Sequence, residues 1–124
     1  MKKDYYYIIG KGFVMKKDYY YIIKGRRNAY SVELVKGFVD DNKMYGYRYI
    51  RESKKSRWEC TDLTSGLLVV AKKTIDECVK FTIEQEQSIN KIKETKAHKD
   101  FVALFNRLVK SQQMEDEAEF NAGW

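Results

Sequence analysis

The chain has no proline, one histidine, two cysteines and no long apolar run, and each shortage excludes something. Without proline, the turns fall to Gly, Asn, Asp and Ser, and nothing but the last residue of a stripe or a glycine stops a helix. A sole imidazole, His98, with no C-x-x-C pair, rules against a zinc site. His98 also lacks a sequence-local partner for a nucleophilic site, and reads as a surface or helix-junction residue. Lys11 sits between Gly10 and Gly12, but the Gly-x4-Gly-Lys-Ser/Thr spacing that would aim N–H groups at a phosphate is missing. Asp40, Asp41, Glu52, Glu59 and Asp62 stand at no ligand spacing and read as turn and solvent-face acids. No enzyme, metal or cofactor is expected. With no apolar leader before them, Cys60 and Cys78 read as reduced thiols of a cytoplasmic protein, and no segment is long enough for a membrane span.

What the chain does have is apolar residues and charge. At 124 residues, 44% hydrophobic and 15% aromatic, it has the material of one folded domain. Its net charge of +6 is unevenly spread: Glu115, Asp116, Glu117 and Glu119 lie in a final stretch with no Lys or Arg, leaving +10 on the rest. A basic body with an acidic tail suits an anionic partner, or a tail that occupies a basic channel by imitating phosphates; a tail of this kind also simply keeps a terminus soluble.

Met1–Ile9 (MKKDYYYII) recurs unchanged at Met15–Ile23, and Lys11–Val14 recurs at Lys36–Val39. Such identity marks a recent duplication, since a repeat that builds a fold has a longer period and diverged copies. We therefore read 1–14 as a duplicated N-terminal extension, 15–114 as a single domain and 115–124 as an acidic tail. An additional functional strand is the alternative for the first copy.

From Tyr19 the pattern has period two. Tyr19–Ile23, Tyr30–Phe38 and Met44–Arg51 read as strands separated by the turns Lys24–Asn28 and Asp40–Lys43. Trp58 and Cys60 alternate with polar neighbours, Asp62–Gly66 is a turn, and Leu67–Ala71 closes a hairpin. At Thr74 the period changes to that of a helix, with Thr74 and Glu77 spaced as a capping box. Ile75, Cys78, Val79, Ile83, Ile89 and Ile92 form one stripe, and Phe101, Val102, Leu104, Phe105, Leu108 and Val109 a second, broader one. The expected fold is α+β: an antiparallel meander of four or five strands over 19–71, then two C-terminal helices, about 75–94 and 99–113, packed on one face. The broad second stripe is also a surface through which two copies could pair.

One constellation carries a candidate interaction site. Tyr45, Tyr47 and Tyr49 on one strand, with Arg48, Arg51, Lys54, Lys55 and Arg57 around them, could stack bases and track phosphates. Alternatively the tyrosine row packs under the helices while the cations solvate turns.

The run Trp58-Glu59-Cys60-Thr61-Asp62, the Thr64-Ser65-Gly66 turn, the apolar strand and the Thr74-capped helix together resemble a pattern in small proteins encoded by bacteriophages and prophages. Some phage proteins of this size and α+β build are anti-CRISPRs, inhibitors of bacterial defence nucleases. The resemblance covers about residues 58–78 and implies a binding protein acting in the host bacterial cytoplasm. Its partner would be a host protein, in particular a nucleic-acid-binding defence complex. The competing expectation is a module that binds nucleic acid directly through the Tyr/Arg strand.

Overall fold

The computed structural model describes residues 5–8, 13–27, 29–52 and 55–122. Strands β1 (Tyr5–Ile8), β2 (Phe13–Arg26), β3 (Ala29–Asp40), β4 (Tyr45–Arg51), β5 (Ser56–Asp62) and β6 (Leu68–Lys72) are followed by helices α1 (Ile75–Glu84), α2 (Glu86–Lys93) and α3 (Lys96–Ala122). The sheet keeps sequence order and every neighbouring pair is antiparallel. That is the topology short turns permit, because parallel pairing needs a long crossover.

The turns follow their side chains. Asp40 Oδ1 accepts the N–H of Met44 at 2.8 Å and of Tyr45 at 3.3 Å, closing the β3–β4 connection. Gly66 takes φ +72°, a conformation open to glycine, in the β5–β6 turn. Thr74 accepts the Glu77 N–H at 3.2 Å and starts α1 as the capping-box spacing predicts.

Burial then sorts the alternating side chains. On one face Met15, Tyr47 and Cys60 pack with Ile75, Cys78 and Val79 of α1, flanked by Phe38, Tyr45 and Trp58. Each large aliphatic side chain fully buried there contributes about 1.5–3 kcal/mol. On the other face Tyr20, Val35 and Val39 form a smaller cluster with Ile22 and Leu63. Tyr20 reaches it only because position 46 is glycine: a Cβ there would stand 2.6 Å from its ring. The Ile23 N–H donates to the Gly66 carbonyl at 3.0 Å. Since β2 and the β5–β6 turn are not sheet neighbours, this bond records a strong curl of the sheet.

Three features differ from the sequence reading. The meander expected over 19–71 is present as the five strands β2 to β6, but a sixth strand, Tyr5–Ile8, pairs with β2 at the edge, and β2 itself begins at Phe13. The first copy of the repeat thus supplies an edge strand, its remaining residues lying outside the described set. Three helices replace two. The buried stripe of α1 ends in Thr82, no residue of α2 is fully buried, and the chain bends at Gln85 (φ −101°, ψ 16°). Finally, α3 runs on to Ala122 and takes in Glu115, Asp116, Glu117 and Glu119. No glycine or proline interrupts 96–122, and acidic and alanine residues sustain a helix. The helices lie against β5, β6 and, through α3, β3.

Candidate functional site

The Tyr/Arg strand is β4, and pairing with β5 decides what its side chains can do. Tyr47 is 3% exposed, packed among Cys60 and α1, so its ring is not available to stack a base. Tyr45 is half-buried, with Lys93 Nζ 5.4 Å from its ring centroid. Tyr49 is exposed at 48% but meets Trp58 edge-on, ring centroids 5.5 Å apart.

The opposite face of β4 is ionic and internally neutralised. Arg48 stands opposite Glu59 across the β4–β5 ladder, with Nη2 3.5 Å from Oε1. Arg57 reaches Glu59 Oε2 at 3.2 Å and Glu52 Oε1 at 3.1 Å. Two of the proposed phosphate-tracking cations therefore already hold carboxylates. Arg51 and Lys55 are exposed, and Lys54 lies outside the described residues. Of the tail acids, Glu115, Asp116 and Glu117 are exposed on α3, where Asp116 accepts from Gln112 Nε2 at 3.1 Å; the side chain of Glu119 lies outside the described residues.

Asp62 and Asp40 correct the reading of solvent-face acids: both are buried. Asp62 is the hub of the β5–β6 turn. Its oxygens accept from the Thr64 N–H at 3.1 Å, the Thr64 hydroxyl at 2.8 Å and the Ser65 hydroxyl at 2.8 Å. Lys93 Nζ at the end of α2 lies 3.5 Å from Oδ1, and His98 Nε2 in the first turn of α3 lies 3.6 Å from Oδ2. One carboxylate thus gathers the turn and the α2–α3 junction. His98 is at that junction, as expected, with its side chain only 9% exposed.

Beside the hub, β6, α1 and α2 enclose a cavity of about 250 Å³. Its lining includes Val69, Phe81, Ile89, Gln85, Ser88, Lys93 and His98, and the exposed side chains of Leu68 and Ile92. Sequence reasoning missed this site, because its groups come from β6, α1, α2 and α3 and only the Asp62–Gly66 turn was visible in advance.

Burial also suppresses the other reactive groups. Desolvation pushes the Tyr45 phenol up to about 12 and drives Tyr20, Tyr47 and the Cys60 thiol still further up. Cys78 is raised by the same cause, and its Sγ donates to the Trp58 carbonyl at 3.5 Å. Neutral buried thiols are poor nucleophiles and poor metal ligands. Among the described residues no group of three His, Cys, Asp or Glu gathers as a metal site, and no helix is long and apolar enough to cross a membrane. No known protein family, curated protein or solved structure matches this chain.

Proposed function

We propose that the chain is a non-catalytic binding protein that disables a host defence machine, a nucleic-acid-guided nuclease of the kind phage anti-CRISPRs inhibit, by covering part of its surface. The observation that carries this reading is the exposed face of the β2–β3 ribbon. Tyr19 (58% exposed) and Leu34 (50%) lie diagonally across the ladder on one face, since Tyr19 pairs with Lys36 and Tyr21 with Leu34. Lys36 Nζ sits 5.4 Å over the Tyr19 ring. A rigid strand pair presenting tyrosine and leucine within a basic surround has the make-up of a protein-binding hot spot, matched by a partner patch that is apolar with an acidic rim.

Direct nucleic-acid binding through β4 is less favoured, since Tyr47 is in the core and Glu59 holds Arg48 and Arg57. The test is plasmid interference in bacteria carrying an active CRISPR nuclease, with and without the protein, across the principal nuclease types. Loss of interference with the wild type and its return with Tyr19→Ser/Leu34→Ser supports the reading. Undiminished interference in every type sinks it. A steep salt dependence of binding to labelled single strands, lost with Arg48→Ala/Arg51→Ala, favours the nucleic-acid module instead.

A further inference from the structure

We propose that the cavity between β6, α1 and α2 binds a small neutral amphiphile: an aromatic or short aliphatic body carrying one hydroxyl or carbonyl oxygen. The proposal is independent of the inhibitor reading and rests on one lining group that the protein leaves unsatisfied. The His98 side chain is 9% exposed, and its Nε2 is buried with no hydrogen-bond partner among the described residues. Native structures rarely leave such an atom orphaned without a reason. The nearest acceptor, Asp62 Oδ2, is 3.6 Å away, beyond hydrogen-bond reach. That oxygen already accepts the Ser65 hydroxyl at 2.8 Å.

A ligand in the cavity, whose lining includes His98, can supply the missing partner. Lys93, whose Nζ is 3.5 Å from Asp62 Oδ1, also lines the cavity and offers further N–H donors. A ligand oxygen between Lys93 and His98 would meet both. It should carry no charge: Asp62 already supplies the negative charge beside these two groups, and a ligand carboxylate would be forced against it. The rest of the ligand should be mainly apolar, since Val69, Phe81 and Ile89 line the cavity with few polar neighbours, Gln85 and Ser88 among them. The 250 Å³ of space equals about eight water volumes, room for a substituted benzene ring.

Three probes that share a tolyl body separate the contributions: p-cresol, toluene and p-toluate, titrated into the full ¹⁵N-labelled chain and followed by amide shifts. Expected are saturable shifts for p-cresol at Val69, Ile89 and His98, with affinity about three- to tenfold above that of toluene, the worth of one hydrogen bond. The p-toluate anion should bind more weakly than p-cresol. His98→Leu should erase the preference for p-cresol over toluene, and His98→Gln should retain part of it. If His98→Leu does not fold, the wild-type series and His98→Gln decide. No saturable shift at the cavity residues up to the solubility limit overturns the site. Equal affinities for p-cresol and toluene overturn the role of His98 and Lys93, and tightest binding by p-toluate overturns the neutral head group.

Discussion

Replacing Asp62 by alanine tests the idea that one buried carboxylate fastens the helices to the sheet. Its side chain is 4% exposed and receives the Thr64 N–H, the Thr64 hydroxyl and the Ser65 hydroxyl, with Lys93 and His98 at ion-pair distance. Truncation leaves the Ser65 hydroxyl, on a fully buried residue, without its acceptor. An unmet buried hydroxyl costs about 1–3 kcal/mol. Lys93 then loses its counter-charge, and breaking a buried charged pair from one side costs about 3–5 kcal/mol where neither partner reaches water. Lys93 is 19% exposed, so that part is discounted, and the sum is about 3–4 kcal/mol. For a domain of this size that lowers Tm by roughly 10–15 °C, and it removes a large share of a typical stability of about 5–15 kcal/mol. Asp62→Asn keeps one acceptor oxygen and should cost about half as much. Urea unfolding followed by far-UV circular dichroism, with an unchanged m-value, measures both. A loss below about 1 kcal/mol for alanine, or equal losses for alanine and asparagine, would refute the clamp.

Other consequences are as direct. Tyr45, Tyr20, Tyr47 and Cys60 hold their protons to higher pH when folded than when unfolded, so the unfolded chain binds fewer protons above its own tyrosine range near 10. Stability should therefore be level below about pH 8, where the unfolded thiol keeps its proton, and fall as pH rises toward 12, with these phenols ionising in a cooperative step at 295 nm; a smooth titration of all ten tyrosines near pH 10 contradicts this. Gly46→Ala drives a methyl into the Tyr20 ring and should destabilise by at least about 1–3 kcal/mol in the same urea assay; a neutral outcome means the ring is not held there. A chain beginning at Met15 loses β1 but keeps Met15, Tyr20 and both core clusters. At a few tenths of a kcal/mol per cross-strand pair, its calorimetric stability should drop by no more than about 2 kcal/mol, and a larger loss makes the first copy essential.

Local chemistry was readable from the sequence alone. The capping box at Thr74 and Glu77, the turn closed by Asp62 and Gly66, and the alternation of Trp58 and Cys60 all involve residues within a few positions of one another, where spacing dictates geometry. Hence the α+β class and the antiparallel meander were legible. Which face of β4 lies under the helices was not, because alternation names two faces without ranking them. The docking of α1 decided it, and turned Tyr47 from a candidate binding residue into core. The split at Gln85 depended on where the sheet stops offering α1 a surface. The joining of Asp62, Lys93 and His98 depended on a chain reversal more than thirty residues long. No local pattern encodes such a meeting, since those side chains interact only once the sheet has curled and α3 has folded back across the turn.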